Sequence, residues 1–248
     1  MKRYRISEFA ELDSTNLHAL ANIHELSDGD VIQALIQTAG HGRLNRRWIS
    51  HVPGNLCVSL VLKPHHRPPA ELPLAGLSQL LATSVCRALD DWGTRASLKW
   101  PNDVLVGERK IAGLLAETVT RHRFEGLVLG LGVNLNLEPE LIAAIGQPAT
   151  SLATCTGRPV NVAAFRDSVL GDFFARYDDF LATGFRGIRD EYLSRCPFLG
   201  THIGVRRGGE TIRGRAHGIT AEGALEIHPP GGHPRTIDLG EIFEVSNH

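Results

Sequence analysis

Two short stretches of this chain carry residue types that handle anions. Gly40, His41, Gly42, Arg43, Leu44, Asn45, Arg46, Arg47 and Trp48 crowd three guanidiniums and an imidazole around two glycines. Lys99, Trp100, Pro101, Asn102 and Asp103 set a lysine beside a turn stiffened by proline. Glycine lets the backbone wrap a ligand, and arginine presents a permanently charged fork matched to carboxylate and phosphate oxygens. His41 adds a donor whose charge changes near neutral pH. Together the two stretches point to chemistry on a small carboxylate and a phosphate. An arginine-rich loop between strands also suits a solvated turn, so the loop alone leaves both readings open.

Further residues bear on the choice. Gln37 ends a strand just ahead of the loop, where its amide either orients a carbonyl or ureido group or faces water. Asn102 and Asp103 either close their turn or lie toward a nucleotide, Asp103 supplying a hard oxygen for Mg²⁺. Lys110 opens an apolar strand, as a snorkelling surface residue or as a charge aimed into a cleft. Gly113 lies three residues further along it. Gly130, Gly132 and Asn134 share one face of a later strand, so a flat ligand ring or a packed helix approaches the sheet closely there. The chain has no phosphate-binding P-loop, zinc-protease helix motif, serine-hydrolase elbow or complete dinucleotide fingerprint.

Apolar periodicity sets the frame that must position these groups. Asp13, Ser14, Thr15 and Asn16 are capping types ahead of Leu17, Leu20, Ala21 and His24, predicting a helix that ends near Asp28 and Gly29. Residues 31–37 and 56–62 read as strands flanking the cationic loop. A breaker over 63–69 precedes a helix over 72–92. Strands follow over 103–106, 110–118 and 126–136, joined by turns at Gly107-Glu108 and Arg121-His122, an antiparallel meander. Helices over 162–181 and 185–195 close the unit. Beyond Cys196 and Pro197, short segments over 205–207, 211–219, 224–228 and 235–239, separated by glycine turns, predict a small five-stranded barrel.

Composition narrows the function classes. With 248 residues, 42% hydrophobic, 21% charged and a formal net charge of −1, this is a globular chain with no global pull toward nucleic acid or membrane. Four dispersed cysteines, at 57, 86, 155 and 196, have no metal-ligand spacing and suit reduced thiols. No apolar run follows the basic amino terminus, and a cytoplasmic location is expected.

Five ordered motifs make the chain resemble the biotin protein ligases along nearly its whole length. They are Asp13-Ser14-Thr15-Asn16, the loop from Gln37 through Arg43 to Trp48, Lys99 to Asp103, Lys110 to Glu117, and Gly130-Leu131-Gly132-Val133-Asn134. The resemblance implies an α+β fold: a catalytic domain similar to class II aminoacyl-tRNA synthetases over 1–196, with a mixed sheet and flanking helices, and an SH3-like barrel over 197–248. It implies that biotin and Mg·ATP give biotinyl-5′-AMP and pyrophosphate. The acyl group then passes to one lysine of a biotin carboxyl carrier domain, of acetyl-CoA carboxylase or a related carboxylase.

By the same resemblance Arg43 and Lys110 are the catalytic cations. Ser14, Thr15, Asn16, Gln37, Gly40, His41, Gly42, Gly113, Gly130 and Gly132 hold biotin or its adenylate, while Trp48, Lys99, Asn102, Asp103 and Asn134 lie toward ATP and Mg²⁺. Residues 137–152 form a loop that orders over the adenylate. Two positions depart from the family pattern: His41 stands where a second arginine is usual, and Asn45 where glycine is frequent, asparagine tolerating left-handed angles. Thirteen residues precede Ser14, too few for the family's helix-turn-helix domain, so no operator binding is expected. A monomer or homodimer fits. The alternatives are a lipoate or octanoate protein ligase, and a non-catalytic biotin-binding paralogue.

Overall fold

Residues of one strand, β3 (Leu56–Leu62), are all buried, which demands cover on both faces of the sheet that contains it. The computed structural model describes residues 3–64, 74–120, 122 and 124–246. In it a seven-stranded sheet runs β1-β2-β3-β7-β6-β5-β4, built from β1 (Arg5–Leu12), β2 (Asp30–Gln37), β3, β4 (Ser97–Lys99), β5 (Asp103–Val106), β6 (Arg109–Thr120) and β7 (Phe124–Val133). β1 pairs parallel with β2 and the other pairings are antiparallel, so the sheet is mixed. The meander expected from β5 to β7 is present.

Side-chain alternation sorts the sheet into two faces. Leu56, Val58, Leu60 and Leu62 of β3, with Leu127, Leu129, Leu131 and Val133 of β7, belong to the main core. That core also takes in Leu77, Leu81, Val85 and Leu89 of α2 (Leu74–Asp91) and Phe165, Val169, Phe173 and Tyr177 of α5 (Val162–Thr183). Val61 and Val128 point the other way, against Ala19 and Ile23 at and beyond α1 (Thr15–Ala21). The same opposite face therefore carries Ser59 of β3, Gly113 of β6, and Gly130 and Gly132 of β7. The short α1 leaves that part of the sheet open.

Several boundaries differ from expectation for physical reasons. α1 stops at Ala21, well before Gly29, because residues 22–25 continue only as turns, with Glu25 and Leu26 both donating to the Asn22 carbonyl. β1 was not foreseen: its residues are half-buried or exposed and it bears Arg5, Glu8 and Glu11, as an edge strand does. β4 is three residues long and gives too little pattern to read. The expected loop over 137–152 contains α3 (Pro139–Ala143) and ends where α4 (Leu152–Thr156) begins. Past Gly184 the chain makes a 3-10 turn, Gly184–Gly187, before α6 (Arg189–Ser194), in place of one helix over 185–195. The breaker past Pro64, the first two residues of the helix over 72–92 and Arg121 lie outside the described residues.

The carboxy-terminal segment forms β8 (His202–Arg207), β9 (Glu210–Ile219), β10 (Leu225–His228), β11 (Arg235–Ile237) and β12 (Glu241–Ser246). They pair antiparallel in the order β11-β10-β9-β8-β12, and β11 does not pair with β12. The five strands are thus an open sheet where a closed barrel was expected; a three-residue β11 offers little to bridge the gap. Ile203, Val205, Ile212, Ile227 and Ile242 join the same core as α2 and α5. The Trp100 indole and the Gln79 amide both donate to the Gly223 carbonyl, at 3.2 and 2.8 Å. Among the described residues no helix is long and apolar enough to cross a membrane.

Two outcomes follow from this core. A chain ended after Cys196 leaves the main core open, and it is expected to lose its cooperative denaturant transition; a retained sharp transition would contradict the shared core. Burial pushes the Cys57 and Cys86 thiols up to about 12 and Cys196 up as well, whereas Cys155 is half-buried. At pH 8 a thiol reagent should therefore modify Cys155 quickly and the other three only as the protein opens. Because the native thiols keep protons that the unfolded chain releases, stability should fall as pH rises from the ordinary thiol value of 9.0 toward about 12.

Candidate active site

The cationic loop is a small hairpin between β2 and β3. Trp48 N donates to Gly40 O at 2.9 Å and Gly42 N to Arg46 O at 2.7 Å, with a bridge between His41 and Arg47. Gly40 is wedged beneath it: a Cβ there would sit 2.8 Å from both Ser50 Oγ and Trp48 O, so only glycine fits. At the tip a 3-10 turn, Arg43–Asn45, holds Leu44 at φ 56°, ψ 33°. The left-handed residue is thus Leu44, where the sequence suggested Asn45. A left-handed leucine costs about 1–2 kcal/mol, and this one is 73% exposed. Nothing in the packing requires its side chain.

Below the hairpin runs a buried chain of polar side chains. Ser14 caps α1 by accepting from Leu17 N. Thr15 N and Oγ1 both lie within hydrogen-bond distance of Gln37 Oε1, at 2.8 and 3.1 Å, and Gln37 Nε2 donates to Ser50 Oγ at 3.1 Å. Ser59 Oγ joins Thr15 Oγ1 to Asn16 Oδ1. Asn16 Nδ2 donates to Glu117 Oε2 at 2.7 Å, and that oxygen lies 3.9 Å from His41 Nε2. Ser50 and Ser59 were not expected at the site, and Glu117, though it closes the Lys110–Glu117 motif, was given no role there. Ser59 had a signal, being the one hydroxyl in an otherwise apolar β3.

The three glycines of the open face are filled from within. A Cβ on Gly130 would meet Asn16 Oδ1 at 2.3 Å, one on Gly132 would meet the Trp48 indole at 2.4 Å, and one on Gly113 would lie 3.0 Å from Lys110 Cε. The flat ring against Gly132 is therefore that of Trp48, whose buried Nε1 has no hydrogen-bond partner.

Cations converge above this floor. Lys110 Nζ contacts Asp103 Oδ1 at 2.6 Å, and Arg46 makes a two-point pair with Glu241. Arg43 donates to Asn102 Oδ1 at 3.3 Å, and Asn102 Nδ2 is fixed in turn by Leu114 O. Among the described residues Arg43 has no carboxylate within 4.0 Å. Burial lowers its pKa from the ordinary arginine value, while Glu241 and Asp103 act to raise it; a guanidinium remains charged regardless. It is a cation stripped of part of its water, reached by the fields of Glu241 and Asp103 and in direct ion contact with neither. Glu241 was not foreseen. Its pKa is shifted below the ordinary carboxylate value: burial raises it, and the Arg46 hydrogen bond with the charges of Arg46, Lys99 and Arg206 outweighs that.

These groups line one cleft of about 910 Å³, counting its open mouth. It brings together every expected site residue except Gly40, which lies under the hairpin, and Asn134. Asn134 instead faces a smaller hollow of about 300 Å³ beside it, shared with Arg47, Trp48, Lys110 and Gln147. The Trp100–Pro101 peptide is cis, and the Trp100 ring is buried. Among the described residues no three His, Cys, Asp or Glu side chains gather to hold a metal ion. The arrangement suits a ligand with a polar head on the Thr15–Gln37 floor and an anionic tail under Arg43.

Two family descriptions match this chain: the biotin/lipoate A/B protein ligase family over residues 7–134, and the biotin protein ligase C terminal domain over 198–243. A biotin–acetyl-CoA-carboxylase ligase of Paracoccus denitrificans is 34% identical over 238 residues, 94% of this chain and 98% of that one. The bifunctional ligase/repressor BirA of Bacillus subtilis (strain 168) is 32% identical over 233 residues, 90% of this chain and 70% of that one. Among solved structures, the biotin protein ligase from Aquifex aeolicus in complex with biotin and ATP superposes with a TM-score of 0.80 at 29% identity, covering 98% of this chain and 99% of that one.

The glycine contacts yield a direct comparison. Gly130→Ala should displace Asn16 and cost about 1–3 kcal/mol in urea unfolding, whereas Gly42→Ala, whose Cβ would meet only Arg46 O at 3.8 Å, should shift stability little. Equal effects of the two would contradict the close packing of Asn16 on β7.

Proposed function

Because this chain belongs to the biotin/lipoate A/B protein ligase family, we propose that it is a biotin protein ligase that works in the cytoplasm on a biotin carboxyl carrier domain. A carboxylate oxygen of biotin attacks the α-phosphorus of ATP, and pyrophosphate leaves. The ε-amine of the carrier lysine then attacks the acyl carbon of biotinyl-5′-AMP, releases AMP and loses a proton. Residues 1–196 are read as a class II synthetase-like catalytic domain and residues 197–248 as an SH3-related domain, here an open sheet that shares the main core.

The observation that carries the reading is the partly desolvated, unpaired Arg43 poised over a buried floor of hydroxyls and amides. Two anions must meet in the first step, and fixed cations offset their repulsion. Arg43 takes the carboxylate or α-phosphate oxygens, and Lys110 shares that charge once it parts from Asp103. The Ser14, Thr15, Asn16 and Gln37 side chains present the donors and acceptors that a ureido head needs. Thr15 is held by Gln37, Asn16 is tied to Thr15 through Ser59, and Ser14 is held by Leu17 N, so little order is lost on binding. Trp48 moves off Gly132 to admit the ligand's tail, and Gly40 and Gly42 let the hairpin follow. Lys99 and Asn102 lie on the nucleotide side, with Asn134 in the adjoining hollow. Asp103, held here by Lys110, is the carboxylate that would face a Mg²⁺ ion accompanying the nucleotide, and such an ion would offset triphosphate charge. Residues 137–152 close over the adenylate and keep water from it.

Pyrophosphate release from biotin and Mg·ATP, followed by the mass of a carrier domain, tests the reading. The account expects release with biotin, a carrier heavier by one biotinyl group, and no such gain with lipoate. Arg43→Ala and Lys110→Ala should each slow adenylation about 100-fold, as loss of a group that stabilises transition-state charge does. Full rates in both variants, or lipoate used as readily as biotin, would overturn it.

A further inference from the structure

Glu241 is the one carboxylate that the carboxy-terminal sheet contributes to the cleft. It is the first residue of β12, and it accepts from both terminal nitrogens of Arg46, at 2.5 and 2.7 Å. Resting on the ligase reading, we propose that Glu241 is an internal counter-anion that competes with the phosphates of a nucleoside triphosphate for Arg46. The carboxy-terminal sheet thereby sets how tightly the site holds its nucleotide.

The contact has the chemistry of an exchange. A carboxylate and a phosphate present the same paired oxygens to a guanidinium fork, so Arg46 satisfies one at the expense of the other. The two partners differ in freedom. Glu241 is fixed, because β12 pairs with β8 in register at Arg206 and the sheet is pinned to the body through Gly223. The Arg46 side chain is 53% exposed against 23% for Glu241, and its long stem lets the head swing toward the cleft. The hairpin's own hydrogen bonds, from Trp48 to Gly40 and from Gly42 to Arg46, are made by backbone and do not involve Glu241. Removing the carboxylate therefore frees the guanidinium without unmaking the loop. In the cycle, Arg46 leaves Glu241 as the triphosphate enters, and Glu241 takes it back as pyrophosphate departs.

The test uses the full chain in four forms: the natural protein, Glu241→Gln, Arg46→Gln and the double variant. Pyrophosphate release is followed against ATP and against biotin, and calorimetry with inorganic tripolyphosphate reads the anion site without turnover. Glu241→Gln should lower KM for ATP and Kd for tripolyphosphate about threefold to fivefold, the range that a half-exposed ion pair commands, while KM for biotin stays put. Arg46→Gln should raise both anion constants, and adding Glu241→Gln to it should change neither. Unchanged or weaker anion binding in Glu241→Gln would overturn the proposal, as would a gain that persists without Arg46. If the natural protein binds tripolyphosphate but releases no pyrophosphate, the ligase reading fails instead, and calorimetry still decides whether Glu241 guards Arg46.

Discussion

A half-buried guanidinium in direct contact with no carboxylate among the described residues is an expensive thing to build, and Arg43 is the point on which this cleft turns. Removing a charge from water is tolerated where hydrogen bonds or a counter-ion compensate. Here Asn102 supplies a hydrogen bond and the nearest carboxylates are engaged elsewhere, Asp103 with Lys110 and Glu241 with Arg46. The missing compensation is what a bound anion provides. The hairpin, the proline turn and the buried polar floor make sense as parts that hold this cation ready and give its ligand a direction.

The sheet explains why these parts meet. Alternation along β3, β6 and β7 sends one set of side chains into the main core and leaves Ser59, Gly113, Gly130 and Gly132 on the opposite face. Because those positions are small, Asn16, Lys110 and Trp48 can lie directly on the strands. The site is thus made in the space that glycine leaves, and its packing is already tight without a ligand.

Legibility in the sequence followed the strength of local pattern. α2, β3 and the β5–β7 meander were readable because their apolar residues repeat without interruption. β1 was not, since its pairing with β2 is a long-range event and its residues are those of a solvated edge. The end of α1 was overestimated because successive turns imitate helical spacing. Arg43, Lys110, Gln37 and the capping residues of α1 were legible as types suited to an anion and a polar head. Ser50 was not, being an ordinary polar residue, and the signals at Ser59, a lone hydroxyl in an apolar strand, and at Glu117, the end of a motif, acquire a role only once distant strands are side by side. Glu241 was furthest from reach: nearly two hundred residues separate it from Arg46, and it arrives on a different sheet. That sheet was expected to be a self-contained barrel; it shares its core with α2 and α5 instead, so it cannot be a passive appendage.

The most direct measurement is a crystal structure of this protein with biotin and ATP, or with the adenylate formed from them. The account predicts Arg43 nitrogens about 2.7–2.9 Å from a carboxylate or phosphate oxygen of the ligand, with the polar head on Thr15 and Gln37. A bound ligand whose anionic groups leave Arg43 facing solvent, or pairing with a protein carboxylate, would contradict it.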